Sequence, residues 1–410
     1  MGQWKFHTPA GVNDLLPEAC QTKRKYEAQL RRVFSLRGYE EIETPALEFY
    51  DVYEAGSGSD IQEELFKFSD EQGRILCLRY DGTIPAARLA ATVHKDKVPP
   101  LRYAYIGNMY RYKEFGGGRL REFSQAGVEL LGDVSPDADA EIIATAISAA
   151  KACGITDLQV SVGQVAFFKA LLNQWHIDGQ DAELLPRFIN NKDMVALEEL
   201  FIRLALPEQA KQIFVKMASG YEDGIIDELR DLIDHSDASA ALDNLQAVLS
   251  ILNEYGYEKY VSVDLGMLQS INYYSGIIFK GYTYGIGFPL FSGGRYDHLV
   301  GSFGRDLAAT GFSIGVNFVL AANRRQGTVE NQIAPVIHIG HRPAVRRAAF
   351  HLADEKRGDG QRVICVQTES EDAESFFSSY RQSIQGNSQA KAELAYIDDQ
   401  GQISWEGENQ

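Results

Sequence analysis

Residues 109–125, MYRYKEFGGGRLREFSQ, bring arginines and aromatic residues together around a run of glycines. Arg111 precedes the glycines, and Arg119, Arg121 and Phe123 follow them. A planar guanidinium can grip a carboxylate or a phosphate through two parallel hydrogen bonds. A phenylalanine ring offers a face on which a base can stack. Taken alone, a surface hairpin with solvated arginines is the simpler interpretation, because the glycines match no phosphate-binding loop.

Two β-strands are the elements that must position these groups. Segments 101–113 and 120–132 alternate well enough to form antiparallel strands. Glycines 116–118 between them favour a bend. Because alternate side chains of a strand point to the same face of a sheet, Arg111 is expected to lie on one sheet face.

Further elements follow from apolar spacing and from residues that begin or end helices. Residues 17–39 predict an amphipathic helix with a proline in its first turn. Ser135 and Pro136 begin another helix, which Gly154 ends. Residues 309–323, ATGFSIGVNFVLAAN, are interpreted as a helix entered through a glycine turn.

The chain is predicted to divide into two domains. Residues 1–323 form a core of strands and helices, interrupted at about 165–255 by a helical insertion rich in Leu, Ala, Asp and Glu. Residues 324–332, RRQGTVENQ, are polar and rich in helix breakers, which indicates a linker. Residues 333–410 alternate strand and helix and predict a small α/β domain. Its polar tail, from residue 398, is expected to fray.

Composition and charge argue against several classes of protein. The chain has 410 residues, of which 45% are hydrophobic, and its 40 basic and 57 acidic residues give a net charge of −17. A dedicated nucleic-acid binder normally carries a basic surface, so this balance disfavours one. Four dispersed cysteines without a CxxC pair favour neither a zinc site nor disulfides and fit the cytoplasm. No leader peptide and no membrane-spanning run is predicted.

Two further patterns have more than one interpretation. GGRYDHLV, residues 293–300, fits either a tight turn that the fold requires or a pocket floor shaped by Tyr296 and Asp297. His338 and His341 lie close in sequence, but a metal needs more ligands at suitable spacing. We interpret them as core or surface histidines and predict no metal and no other cofactor.

Five separated motifs resemble those of class II aminoacyl-tRNA synthetases, and two of them are specifically similar to histidyl-tRNA synthetases. The resemblance spans residues 5–320. It implies an α+β fold, with an antiparallel sheet flanked by helices, a helical insertion and a small C-terminal α/β domain. The motifs are ETPALE (43–48, motif 1), residues 111–123 (motif 2), FSGGRYDHLVGSFG with ATGFSIGV (291–316, motif 3), and the histidyl-type LRYDGT (78–83) and INYYSG (271–276).

In that family the motifs build one site for histidine and ATP. Asp81 stands where the family has a glutamate. Carboxylates pair with an α-ammonium or an imidazole N–H, and hydroxyls and amides add hydrogen bonds. The resemblance therefore implies a histidine pocket; an inherited pocket whose polar groups satisfy one another is the alternative. The candidate histidine-binding residues are Asp81, in place of the glutamate, and the matching Thr83, Arg111, Gln125, Glu129, Tyr273 and Tyr274.

The chain departs from the family where adenylation needs positive charge. Removing one preorganised cation or donor typically costs about a hundred- to thousandfold in rate. The resemblance thus implies that synthetase activity is lost. The substituted positions are Gln269 for the arginine before the tyrosine pair, Asn317 and Phe318 for the glutamate and arginine of motif 3, and Lys113 for a motif 2 glutamate.

A synthetase-like body without these cations resembles the regulatory subunits of ATP phosphoribosyltransferase. That resemblance implies a non-catalytic role in the first step of histidine biosynthesis and feedback control by histidine. It also implies a short-form catalytic subunit as partner, in a hetero-octamer of four regulatory and four catalytic subunits built from class II-type homodimers. Under the same resemblance, Arg119, Arg121 and Phe123 are candidates for a vestigial nucleotide site.

Two other functions stay open at this point. A divergent histidyl-tRNA synthetase, or a paralogue that adenylates another amino acid, would explain the retained motif 2 arginines. A tRNA-recognition module acting in translation control is the third class. The acidic charge and the short C-terminal domain disfavour it.

Overall fold

The computed structural model describes residues 4–56, 59–112, 120–220, 224–268, 273–327, 335–384 and 392–407. The chain forms two compact units, Met1–Val329 and Glu330–Gln410. The helices are α1 (Pro17–Leu36), α2 (Tyr50–Gly56), α3 (Ser59–Gln62), α4 (Thr83–Ala91), α5 (Pro136–Ala152), α6 (Val165–Gln174), α7 (Gly179–Asn191), α8 (Met194–Arg203), α9 (Glu208–Ser219), α10 (Ile225–Leu232), α11 (Ser236–Glu254), α12 (Val316–Gln326), α13 (Arg346–Gly358) and α14 (Ala373–Ile384). The strands are β1 (Glu40–Glu41), β2 (Leu47–Phe49), β3 (Lys67–Ser69), β4 (Ile75–Leu78), β5 (Leu101–Tyr110), β6 (Glu122–Leu131), β7 (Leu158–Gln164), β8 (Val261–Val263), β9 (Ile277–Thr283), β10 (Phe291–Arg295), β11 (Ala309–Gly315), β12 (Val336–His341), β13 (Arg362–Gln367), β14 (Ala392–Ile397) and β15 (Ile403–Trp405).

The first unit is organised around a sheet with the strand order β1-β5-β6-β11-β10-β9-β7-β8. Within this order, every neighbouring pair from β5 through β6, β11, β10 and β9 to β7 is antiparallel. The edge strands β1 and β8 pair in parallel with β5 and β7. The predicted α+β class, with a central antiparallel sheet, is therefore confirmed. Strands β5 and β6 pair along their whole length, from Leu101 opposite Leu131 to Tyr110 opposite Glu122.

Helices cover one face of this sheet. Phe34 of α1 lies edge-on to Phe312 of β11, with ring centroids 6.0 Å apart. Helix α5 begins as its sequence predicts, with Pro136 as first residue and Ser135 Oγ accepting the Ala138 N–H at 3.3 Å. Such a cap satisfies one of the backbone donors that the first helical turn leaves without a partner.

A second, smaller antiparallel sheet has the order β2-β4-β3. Phe49 and Phe68 flank Leu76 in register, so these three side chains share one face. Leu47, two residues before Phe49 on the same strand, lies on that face as well. Leu47, Phe49 and Phe68 are between 40% and 49% exposed. This apolar face is therefore only half covered within the first unit.

Helices α6 to α11 fill the segment between β7 and β8. Their core contains a cluster of aromatic rings around Phe214. Phe168, Trp175 and Phe201 each place a ring centroid within 6.1 Å of its ring.

Three segments differ from the sequence-based expectation. Residues 309–315 form the strand β11, and α12 begins only after it, because alternate residues of this segment face the helix-covered core. Helix α12 continues to Gln326, and Gly327 ends it with φ 69°, so the first residues of the predicted linker are helical. The predicted polar tail contains β15, which pairs antiparallel with β14.

The second unit has a sheet of order β13-β12-β14-β15. Strand β12 pairs in parallel with both β13 and β14. Ala349 and Ala353 of α13 are buried against Ile339 of β12, and Phe376 of α14 is buried with Tyr396 in a separate cluster. The helices therefore pack on both faces, as expected for an α/β sheet.

No helix within the described ranges combines the length and the apolar character that crossing a bilayer requires. Among the same residues, no group of three or more His, Cys, Asp or Glu side chains could hold a metal ion. His338 Nδ1 instead lies 2.9 Å from the Tyr380 hydroxyl, and His341 Nδ1 lies 3.1 Å from the carbonyl oxygen of Arg342.

Candidate functional site

A buried carboxyl group, that of Glu129 in β6, lies at the centre of a polar pocket on the sheet face opposite α1 and α5. Glu129 is 1% exposed. Its Oε1 accepts hydrogen bonds from Thr83 Oγ1 at 2.7 Å and from Tyr105 Oη at 3.3 Å. Tyr296 donates its hydroxyl to Oε2. Hydroxyls from helix α4, strand β5 and the segment after β10 thus converge on one carboxyl group.

Glycines make room for these side chains. Gly311 lies opposite Glu129 in register, and a Cβ at Gly311 would lie 1.8 Å from Glu129 Oε2. A Cβ on Gly127 would lie 2.5 Å from Tyr105 Oη, and one on Gly82 would lie 2.2 Å from the Tyr105 ring. Protein atoms do not approach that closely, so the pocket depends on glycine at these positions.

Burial disfavours ionisation of both pocket carboxyl groups. It raises the pKa of Glu129 to about 8, with hydrogen bonds such as that from Tyr296 acting in the opposite direction and the charge of Asp81 adding to the rise. Burial likewise raises the pKa of Asp81 to about 6, against the Ile84 N–H and the positive charge of Arg111. An approaching cation would favour the ionised form of either group.

The raised pKa of Glu129 should make the folded state less stable as the pH rises. The carboxyl group ionises near 4.5 in an unfolded chain and near 8 in the folded one. The folded state therefore holds more protons between these values, so its stability falls with increasing pH. Between about pH 6.5 and 8.5 we expect the thermal unfolding temperature to fall on the order of 2–4 °C further in the native chain than in Glu129→Gln, which cannot ionise. Calorimetric scans across this range check it, and parallel curves would contradict it.

Two tyrosines close one side of the pocket. The Tyr273 and Tyr274 rings meet edge to face at 5.0 Å, and Tyr273 also stacks on Tyr296 at 5.5 Å. Burial raises the pKa of the Tyr273 hydroxyl well above its usual value, and the charge of Asp81 adds to the rise. The Tyr274 carbonyl accepts a hydrogen bond from Lys169 Nζ at 2.8 Å, which ties this wall to α6.

Gln125 contributes an acceptor that no described residue satisfies. Its Nε2 donates to Ser313 Oγ on the neighbouring strand at 2.7 Å. Its Oε1 is buried and has no hydrogen-bond partner within the described ranges. An unpaired buried acceptor typically costs about 1–3 kcal/mol. This oxygen is therefore suited to a ligand that donates a hydrogen bond.

The structure gathers the predicted pocket residues on one sheet face, and it adds others that sequence reasoning did not assign. Tyr105 and Gly311 were absent from the predicted set, and Tyr296 was predicted only as part of a pocket floor. Register could have found Tyr105, because it lies opposite Gly127, two residues before Glu129 on the same strand. The predicted residues at the pocket are Asp81, Thr83, Arg111, Gln125, Glu129, Tyr273 and Tyr274.

Arg111 lies between two aromatic rings. Its guanidinium carbon is 4.3 Å from the ring centroid of Tyr80 and 5.0 Å from that of Phe123. Phe123 is only 8% exposed. Arg111 therefore covers one face of the Phe123 ring, and a base stacked on this ring stays a prediction. Arg121 lies over another ring, that of Tyr112, at 5.5 Å.

The two substituted positions of motif 3 have structural partners. Asn317 Oδ1 accepts the Ser124 N–H at 2.6 Å and thereby joins α12 to β6. The Phe318 ring packs on Phe288 with centroids 4.3 Å apart. Neither residue supplies a cation to the pocket. The other predicted positions, Lys113, Arg119 and Gln269, and the glycines 116–118, lie outside the described residues.

A buried ion pair supports the strand that leads into Tyr296. Arg295 Nε lies 3.0 Å from Asp139 Oδ2 of α5, and the two side chains are 9% and 1% exposed. Arg295 Nη1 also donates to the Asp133 carbonyl at 3.0 Å and to Asp297 at 3.2 Å. The network fixes the end of β10 against α5.

Known proteins are similar to this chain in both sequence and fold. A sequence model of the histidyl-tRNA synthetase family matches residues 11–319. An ATP phosphoribosyltransferase regulatory subunit of Acetivibrio thermocellus is 45% identical over 364 residues, which cover 88% of this chain and 87% of the relative. The chain belongs to the family of ATP phosphoribosyltransferase regulatory subunits. In this chain the sheet and the helical insertion lie within the residues that the synthetase-family model matches.

Solved structures agree with this assignment. The crystal structure of an ATP phosphoribosyltransferase regulatory subunit/histidyl-tRNA synthetase from Bacillus halodurans superposes with a TM-score of 0.82 at 33% identity, covering 97% of this chain and 99% of the other. A histidyl-tRNA synthetase from Nostoc sp. PCC 7120 superposes with a TM-score of 0.77 at 20% identity, covering 98% and 96%. The second likeness shows the shared class II fold.

Proposed function

We propose that this chain is a regulatory subunit without synthetase activity, which a short-form ATP phosphoribosyltransferase catalytic subunit requires for the first step of histidine biosynthesis. The names of its relatives support the partner. The observation that supports the loss of synthetase activity is at motif 3. There Asn317 accepts a hydrogen bond from the backbone of β6, and the Phe318 ring packs on the ring of Phe288. Adenylation develops negative charge on phosphorus, which preorganised cations normally stabilise.

The proposed effector is L-histidine, bound in the pocket around Glu129. An α-ammonium or an imidazole N–H would pair with Glu129 or Asp81, and a further donor of the ligand would satisfy Gln125 Oε1. Tyr273 and Tyr274 provide an aromatic wall of a size that suits an imidazole. Feedback control then requires that histidine bind one state of the complex more tightly than the other.

The proposed assembly starts from a class II-type homodimer. The apolar face that Leu47, Phe49 and Phe68 share is a surface of the kind that protein interfaces cover. Four such chains would combine with four catalytic subunits into a hetero-octamer in the cytoplasm. Neither tRNA nor a membrane is among the proposed partners.

A divergent synthetase is the competing function, and the retained Arg111 and Arg121 favour it. Two assays on the purified chain distinguish the two. We expect calorimetric titration with L-histidine to show saturable binding, and we expect ATP–pyrophosphate exchange with histidine to stay at the background level. Exchange that depends on histidine would overturn the regulatory assignment.

The partner is tested separately. We expect a short-form catalytic subunit alone to have a low phosphoribosyltransferase rate. This rate should increase once this chain is added at equal concentration. L-Histidine should then inhibit the complex. An unchanged rate on addition of the chain would contradict the proposed partnership, whatever the histidine titration shows.

A further inference from the structure

Helix α4 contacts the pocket at its first turn and strand β2 further along. Thr83 Oγ1 donates to Glu129 Oε1 at 2.7 Å, and Arg88 Nη2 donates to Glu48 Oε1 at 2.6 Å. The two helix residues are five positions apart, which corresponds to about 7.5 Å along the helix axis. Because a helix is stiff over so short a distance, α4 joins the pocket to β2.

The first turn of α4 serves both pocket carboxyl groups. In addition to the bond from Thr83 to Glu129, the Ile84 N–H donates to Asp81 Oδ1 at 3.1 Å. The N–H groups of a first helical turn have no partner inside the helix, and the positive end of the helix dipole favours negative charge there. The position of this turn therefore influences how easily the pocket ionises.

Apolar packing fixes the position of α4 only weakly. Besides Ile84, the buried residues of the helix are one proline and four alanines. A methyl group offers few atoms for van der Waals contact, and small side chains interlock less with a neighbouring surface than long ones do. Directional polar contacts therefore contribute more to the position of α4 than to that of a helix with large buried side chains.

The ion pair of Arg88 and Glu48 is such a contact. The two side chains are 23% and 6% exposed. A carboxylate with so little access to water needs a cation or hydrogen-bond donors, so Glu48 holds the guanidinium in place. Glu48 lies between Leu47 and Phe49 on β2. The pair thus connects the pocket to the strand that carries the half-covered apolar face.

We propose that Arg88 is a positioning residue of the pocket. By fixing α4 to Glu48, it holds the first turn of the helix against Glu129 and Asp81. This inference deepens the proposed function, because it assigns control of the histidine site to a residue on another turn of the helix. Its effect on histidine affinity rests on that proposed function, whereas its effect on the ionisation of Glu129 is measured without a ligand.

Loss of the Arg88–Glu48 pair should raise the pKa of Glu129. Burial raises this pKa to about 8, and the hydrogen bond from Thr83 acts in the opposite direction. A displaced first turn weakens this hydrogen bond and makes the ionised form less stable. None of the other titratable groups around the carboxyl group is substituted in the test. They are Asp81, Tyr105, Tyr273, Tyr274 and Tyr296.

The test is a pH titration of Glu129 by carbon NMR of the full chain, with the side-chain carboxyl carbons of glutamate isotopically labelled. Glu129→Gln identifies the signal. We expect the titration midpoint to lie about 0.5–1 pH unit higher in Arg88→Met, and also in Glu48→Met. The second variant separates positioning from charge, because removing the negative charge of Glu48 would by itself lower the pKa of Glu129.

Arg102→Met is the matched control. Arg102 pairs with Glu141, and the two side chains are 31% and 23% exposed. The pair lies on the helix-covered side of the sheet, since Arg102 is opposite the buried Leu130. This control should move the Glu129 midpoint by less than about 0.2 pH unit. At about pH 7.5, L-histidine binding should weaken about threefold to tenfold in Arg88→Met, following the smaller ionised fraction, and should stay at the native value in the control.

Three results would overturn the inference: an unchanged midpoint in Arg88→Met, a lower midpoint in Glu48→Met, or an equal rise in Arg102→Met. Should either single variant fail to fold, the double variant of Arg88→Met and Glu48→Met decides. It removes both charges together and leaves two apolar side chains in their place, and its midpoint should also rise. A native chain that binds no histidine contradicts the proposed effector, and the titration still decides the role of Arg88.

Discussion

Glu129→Gln should weaken L-histidine binding by about tenfold to a hundredfold and leave the fold intact. The free carboxyl group has a pKa of about 8 and is mostly protonated at neutral pH. Pairing with a cationic or N–H donor of histidine would favour its ionised form, in which a charge-assisted hydrogen bond is worth about 1.5–3 kcal/mol. Glutamine keeps the volume and an acceptor for Thr83 and Tyr105, but it carries no charge.

Titration calorimetry of three proteins measures this effect. Glu122→Gln is the matched control, because Glu122 lies on the same strand but faces the other side, where it accepts from Asn108 Nδ2 at 2.9 Å. We expect the native chain and the control to bind histidine more tightly as the pH rises from about 7 to 8.5, since Glu129 must lose its proton. The affinity of Glu129→Gln should stay flat. Equal affinities in all three proteins would remove Glu129 from the histidine site.

The same variant connects the pocket to regulation. Mixed with the catalytic subunit, Glu129→Gln should assemble and activate like the native chain, and its histidine inhibition curve should shift to higher concentration by a similar factor. An unchanged inhibition curve with a weakened binding curve would place the inhibitory histidine elsewhere, for example at the seam between the subunits. Binding and inhibition are thus separate measurements of one coupling.

The central sheet and the composition of the pocket could be predicted because local signals agree there. Strands β5 and β6 alternate clearly, so the alternation alone places Glu129 and Gln125 on one face of the sheet. Thr83 and Asp81 follow the end of a strand and begin a helix, which brings them to the same region. The resemblance to the family motifs indicated the roles of these residues, and the strand register shows which of them lie next to each other.

Strand β11 was mispredicted because its residue types fit the side chains of neighbouring strands and do not follow strand propensity. Gly311 has a low strand propensity, and its glycine character reflects the Glu129 carboxyl group that lies over it. From sequence alone such a glycine indicates a turn. Only the pairing of β11 with β6 shows that the missing side chain creates space for the pocket.

The packing of the motif 2 residues could not be predicted from residue identities either. Arg111 and Phe123 match the family in type, yet the guanidinium lies over the ring. A local sequence pattern does not distinguish an arginine that binds a phosphate from an arginine that packs on neighbouring aromatic rings. Similarly, Asn317 and Phe318 could be recognised as lost cations, whereas the hydrogen bond and the ring contact that replace them required the fold.

Arg295→Met should destabilise the first unit by about 3–5 kcal/mol, the largest stability effect expected outside the apolar core. The substitution removes the guanidinium and leaves the Asp139 carboxylate, 1% exposed, buried without its partner, which is far costlier than losing the pair as a whole. Tyr296 follows Arg295 directly and bonds Glu129. We therefore expect weaker histidine binding in this variant as well.

Urea unfolding of the full chain, followed through the transition of the first unit, measures the loss. Arg31→Met is the control, because Arg31 and Glu41 form the same type of pair with side chains 49% and 41% exposed, and its removal should cost less than about 1 kcal/mol. If the uncompensated charge causes the loss, adding Asp139→Asn to Arg295→Met should recover part of the stability, since the neutral amide needs no cation. Equal losses for Arg295→Met and Arg31→Met would contradict a large contribution from the buried pair. A large loss in Arg295→Met without recovery in the double variant would instead assign the effect to the hydrogen bonds that Arg295 donates to backbone carbonyls.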